Sequence, residues 1–206
     1  MLNKTVFIFA LALCSAASPA QDSDEHAMDS KGHHMDHSAH MEMASAPPME
    51  NVHGLSMAFK LTGAKATDVS LEDFKGNYLL VGFGFTHCDY VCPTMAANIA
   101  RVIKQADSPT RGVFISVDTE RDTPDITHRY AQQFDKRLVG LSGSHNQISD
   151  AANNFKVSFA VTKTQKNYTV LHTASIFLIG PDSKLIDVFA LNASTEEILS
   201  AIKPEA

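Results

Sequence analysis

Residues 55–61 alternate large apolar side chains with small or polar ones, the pattern of a strand with one buried face. Residues 78–83 form a continuous apolar run, as in a central strand covered on both sides. Met95, Ile99, Val102, Ile103 and Ala106 follow at helical spacing. Residues 113–117 predict a second buried strand. Thr123-Pro124 then pairs an N-cap residue with proline at the first helical position, and Ile126, Tyr130 and Phe134 recur every four residues behind it. Residues 138–141 are a short apolar strand or loop. Ser144 caps a helix with Ile148, Ala151, Ala152 and Phe155 on one face. Strands at 175–179 and 185–190, joined by "GPDSK", predict a hairpin. Ser194 with Glu197 has capping-box spacing and opens a last helix that buries Ile198, Leu199 and Ile202.

This order implies an α/β layer structure, a central mixed β-sheet flanked by helices. A cysteine pair just past the 78–83 strand and the terminal hairpin plus helix suggest a thioredoxin-like fold. Such a fold does not settle function.

The chain has 206 residues, enough for one domain with appendages. Its net charge of -6 argues against nucleic acid as a partner. The acidity is concentrated: residues 21–50 carry seven acids against one lysine, whereas residues 51–206 carry sixteen acids and fifteen bases.

Residues 1–20 read as an export signal. Lys4 precedes an apolar run at 6–13, and Ser18-Pro19-Ala20 offers a cleavage site. The run falls short of the roughly 20 residues that span a bilayer, so no membrane span is expected after cleavage. An uncleaved anchor is the competing reading. Cys14 lies inside this segment and follows Leu13, which disfavours lipid modification. The expected compartment is the periplasm, with the mature chain a soluble monomer.

Residues 21–50 show neither helical nor strand period and no aromatic residue, so they are expected to be disordered. Yet this segment holds half of the ten histidines and five of the eight methionines. His26, Met28, His33, His34, Met35, His37, His40, Met41 and Met43 are the candidate auxiliary ligands. Imidazole suits several metals, while thioether sulfur selects copper(I), so the mixture points to copper above zinc. A plain solvated linker is the alternative for the segment, and a copper-buffering tolerance protein led by this tail is an alternative reading of the whole chain.

Residues 51–206 form the remaining domain, and its two cysteines are Cys88 and Cys92, four positions apart. Cys88 falls in the turn after the 78–83 strand and Cys92 near the start of the next helix. Amide dipoles there favour thiolate over thiol. Three readings compete. A structural staple closing so short a loop contributes only about 2 kcal/mol. A thiol-disulfide reductase with Cys88 and Cys92 as its redox pair is the second, although Cys-x-x-Cys is the commoner redox spacing. A copper site is the third, and it needs a further ligand. Of the body's histidines, His53, His128 and His145 read as surface residues, and His87 adjoins Cys88 too closely to face the same ion without strain. His172 lies just before the 175–179 strand, where a thioredoxin-like fold faces the cysteine turn. There it can complete a site of two sulfurs and one nitrogen.

Thr86-His87-Cys88 through Cys92-Pro93, "SVDTERDTP" at 116–124 and "LHTASIFLIGPDSK" together resemble the Sco/SenC family of copper proteins over about residues 50–203. The resemblance implies a thioredoxin-like fold that binds one copper, as Cu(I) or Cu(II). Cys88 and Cys92 match the family's thiolates, His172 its imidazole, and Asp118 an acid near the metal linked to copper transfer. It also implies an acceptor protein, the CuA subunit of an oxidase, and a periplasmic thiol reductant; some members act as thiol reductases on the disulfides of partner proteins. Asp89-Tyr90-Val91 departs from the frequent proline after the first cysteine, and Thr119 stands where proline is common.

Overall fold

The computed structural model describes residues 55–203. The segment at 1–20 read as an export signal, the His/Met-rich segment at 21–50 and His53 lie outside the described residues, as do the auxiliary ligands expected there.

The strands and helices run β1 (Lys60–Thr62), β2 (Asp68–Ser70), β3 (Tyr78–Gly84), α1 (Val91–Gln105), β4 (Thr110–Ser116), α2 (Pro124–Gln132), β5 (Leu138–Leu141), α3 (His145–Phe155), β6 (Phe159–Lys163), β7 (Tyr168–His172), β8 (Ser175–Ile179), β9 (Leu185–Ala190) and α4 (Thr195–Ala201). The main sheet has the order β5-β4-β3-β8-β9. β3, β4 and β5 run parallel, while β8 and β9 are antiparallel. This is the expected thioredoxin-like arrangement. β3 is apolar throughout because helices cover both faces. Leu79, Val81 and Phe83 enter one core with Phe155 of α3 and Phe177 of β8. Leu80 enters the other core with Met95, Ile99 and Ile198 of α1 and α4.

Glycine sets how closely α1 approaches β3. A Cβ on Gly84 would come within 2.8 Å of the Phe114 ring and 2.9 Å of Cys92 Sγ. Cys92 therefore packs directly against the strand end. The caps form at the expected residues. Thr123 Oγ1 accepts from the Ile126 amide, Ser144 and Gln147 make a reciprocal box, and Ser194 Oγ accepts from the Glu197 amide.

Three expectations need correction. Met57, Phe59 and Leu61 are buried alternately, but only Lys60–Thr62 pairs as strand. Alternation reports which side faces the core, not whether a ladder partner exists. The β6–β7 hairpin was not expected. Most of its residues face solvent, so it lacks the apolar stripe that marks a core strand. His172 consequently ends a strand instead of lying in a loop. His128 is not on a solvent face: its Nδ1 is buried without a partner. α2 lies so close to β5 that a Cβ on Gly140 would meet the Thr127 carbonyl oxygen at 2.1 Å. Among the described residues no helix is long and apolar enough to cross a membrane.

Candidate metal centre

Cys88 and Cys92 occupy the junction between β3 and α1. The residue capping α1, Tyr90, makes no side-chain capping bond. A helix start leaves amides without partners, and the Cys92 amide donates to Cys88 Sγ at 3.3 Å. Burial opposes ionisation of Cys88. The amide of Cys92, its side chain and the amides of Tyr90 and Val91 outweigh that, and hold the Cys88 thiol below its ordinary value. Cys92 is the opposite case. Burial pushes its pKa up, the Phe85 amide at 3.4 Å partly offsets this, and the Cys88 and Asp122 charges push it further up.

The pair is thus split into an accessible sulfur that ionises readily and a buried one that keeps its proton. Cys92 is 0% exposed. At neutral pH, Cys88 is expected to be alkylated by iodoacetamide at least about tenfold faster than Cys92, since the thiolate is the nucleophile. Mass spectrometry of partly modified protein checks this. Equal labelling would contradict the split.

The third group arrives from 80 positions away: His172 Nε2 lies 3.5 Å from Cys92 Sγ. Its Nδ1 is 3.0 Å from the Thr173 carbonyl oxygen. A carbonyl only accepts, so Nδ1 carries the proton and the Nε2 lone pair faces the sulfur. Burial lowers the His172 pKa, with the Thr173 bond acting in the opposite sense, and the ring is neutral near pH 7. Phe85 stands edge-on to the imidazole, centroids 5.8 Å apart.

Two soft sulfurs and one imidazole suit copper in either common oxidation state. Sulfur and nitrogen bound at about 2.3 and about 2.0 Å to one first-row ion at about 120° lie roughly 3.7 Å apart, close to the Cys92–His172 separation. Among the described residues no group of three or more His, Cys, Asp or Glu side chains already stands as a coordination shell. His87 points elsewhere, its Nδ1 3.4 Å from Asp122 Oδ1. His145 is exposed on α3.

Asp118 is fully buried and bonds Tyr168 and Arg121, with no hydrogen bond to the cysteines or His172. The acid that supports the cysteine turn is Asp122, which the sequence reading passed over. It accepts from the Thr86 amide at 2.7 Å, Thr86 Oγ1 at 2.6 Å and Ser116 Oγ at 2.6 Å. Its only sequence mark is an acid directly before the Thr123 cap. At its helical spacing Tyr130 reads as a core residue. Its hydroxyl is buried without a partner, and burial followed by the Cys92 and Cys88 charges pushes its pKa up.

Comparison with known proteins shows which family the chain resembles. The human protein SCO1 homolog, mitochondrial, is 36% identical over 148 residues, covering 68% of this chain and 48% of the human one. The chain therefore spans about half the length of that curated relative. Bradyrhizobium japonicum ScoI, solved with copper bound, superposes with a TM-score of 0.61 at 35% identity, over 72% of this chain and 97% of that one. BsSco, described with a disulfide switch as a member of the Sco family of cytochrome c oxidase assembly proteins, gives a TM-score of 0.58 at 27% identity, over 75% and 95%. The SCO1/SenC family pattern matches residues 48–206, and the chain belongs to that family.

Proposed function

We propose that this chain is an exported copper carrier that holds one copper through Cys88, Cys92 and His172 and passes it to the CuA site during cytochrome c oxidase assembly. The observation that carries this is the His172 Nε2 lone pair facing Cys92 Sγ at 3.5 Å, with the opposite ring nitrogen tied to a carbonyl. Copper is the cargo. The soft sulfurs favour Cu(I), and the imidazole accommodates Cu(II). A Sco protein solved with copper and another named for oxidase assembly support the same reading.

Binding requires both thiols to give up their protons. Cys92, whose pKa is raised, is the harder to deprotonate. Copper affinity should therefore fall as pH is lowered through neutrality. His172, its pKa lowered, adds little competition until the solution is more acidic than its ordinary value of 6.5. Oxidation is the release step. The Cys88 thiolate attacks a partner disulfide, one partner sulfur leaves as thiol, and Cys92 then displaces the other. The chain loses two electrons, the partner disulfide takes them up together with two protons from solvent and becomes two thiols, and both sulfur ligands are withdrawn from copper. The same exchange, run without metal, is the alternative reductase activity, favoured by the accessible, readily ionised Cys88.

The His/Met-rich segment at 21–50 collects copper loosely and raises its concentration near the core site by tethering. The working compartment in this reading is the periplasm, with a thiol reductant to regenerate the pair.

Anaerobic Cu(I) titration of the reduced chain against a chromophoric chelator tests the proposal. The chain lacking residues 21–50 should bind one copper, bind it more weakly at lower pH, and yield it to a soluble CuA domain. The full chain should load faster at limiting copper. Tight binding that survives Cys88→Ser, or retention of copper in the presence of the CuA domain, would overturn it.

A further inference from the structure

β7 carries His172 at its end, yet neither β6 nor β7 pairs with the main sheet. The hairpin needs another hold on the body. Its base is closed within itself, by the Thr173 amide on the Ser158 carbonyl at 2.9 Å and the Ser158 amide on Thr173 Oγ1 at 3.2 Å. Phe159 and Val170 pack against the core edge. Lys163 bridges to Glu120 at 2.8 Å, but both side chains are mostly exposed, and such pairs contribute little.

Tyr168 is different. Its hydroxyl donates to Asp118 Oδ1 at 2.6 Å, and that carboxylate is fully buried. The Arg121 Nε donates to Asp118 Oδ2 at 2.5 Å. The same guanidinium lies 3.9 Å from the centroid of the Tyr168 ring and 6.0 Å from that of Phe85. Phe85 in turn stands edge-on to His172. Successive side chains on a strand alternate faces. Tyr168, Val170 and His172 are half-buried on one face of β7, while Thr169 and Leu171 are exposed on the other. Anchoring Tyr168 therefore sets the face and height at which the imidazole emerges.

We infer that Tyr168 is the positioning residue for His172: its hydroxyl, latched to buried Asp118 and backed by Arg121, holds β7 so that the imidazole meets Cys92. Asp118 then acts on the metal site through the hairpin, not as a ligand. The consequence for copper rests on the proposed Cys88–Cys92–His172 site; the latch itself does not. Partial desolvation and the bond to Asp118 push the Tyr168 pKa up to about 12, so the hydroxyl remains a donor at any working pH.

Tyr168→Phe removes the hydroxyl and keeps the ring on Arg121. In the reduced, metal-free full chain, amide hydrogen exchange in β7 should quicken about tenfold, and the His172 ring resonances should leave their single environment. Copper dissociation from the loaded chain should accelerate about tenfold, within the range seen when outer-shell partners are lost. Asp118→Ala removes the acceptor, and the Arg121 contact with it, so its effects should be at least as large; adding Tyr168→Phe to it should bring no further change, because the bond between the two is already gone. Lys163→Ala should change none of these. Unchanged exchange and unchanged His172 resonances in Tyr168→Phe would overturn the latch, as would effects of the two variants that multiply. If wild-type copper binding proves independent of Cys88 and Cys92, the functional reading fails instead, and the exchange data on metal-free protein still decide the latch.

Discussion

Replacing His172 with alanine is expected to weaken Cu(I) binding by the reduced chain by more than about 100-fold, since loss of outer-shell support alone costs about 10–100-fold. The imidazole supplies a nitrogen donor beside the pair, and its Nε2 already faces Cys92 Sγ at 3.5 Å. The substitution leaves the Cys88 and Cys92 sulfurs and their amide donors in place, so disulfide formation should persist. Chelator competition measures the first effect, and titration with a thiol–disulfide buffer the second. An unchanged affinity would mean that the two sulfurs hold copper without the ring.

Asp122→Ala is expected to cost at least about 3 kcal/mol of folding stability, because hydrogen bonds to a charged group are each worth about 1.5–3 kcal/mol, and the Ser116 hydroxyl would be left buried without its acceptor. Asp122 is 1% exposed and accepts two bonds from Thr86 and one from Ser116. Thr86 lies two residues before Cys88, so the cysteine turn should loosen together with the fold. Urea unfolding gives the stability change, and the rate of Cys92 alkylation reports the turn. A loss below about 1 kcal/mol would show that water replaces the carboxylate without penalty.

The difference between what was legible in the chain and what was not follows from the range of the interactions. β3, α1, β4 and α3 bury apolar faces at the period of their own backbone, so their patterns are written locally. The convergence of the cysteine turn with the approach to β8 followed from fold class, because a thioredoxin-like sheet puts β8 next to β3. The β6–β7 ribbon left little trace because it buries few side chains and pairs only with itself. Asp122 was hidden for another reason. Its partners lie 6 and 36 positions away, and no local period links a carboxylate to donors at such separations. Asp118 is legible through its motif, but its place in a latch with Tyr168, 50 positions on, depends on a hairpin that the pattern does not disclose.

The central claim is that sulfur from one helix start and nitrogen from a distant strand end share a single ion. X-ray absorption at the copper edge, on the reduced Cu(I)-loaded chain lacking residues 21–50, tests it most directly. Two sulfurs and one imidazole nitrogen per copper, with the nitrogen lost in His172→Ala, is the expected spectrum. A shell made of sulfur alone, or a nitrogen signal that persists in that variant, would contradict it.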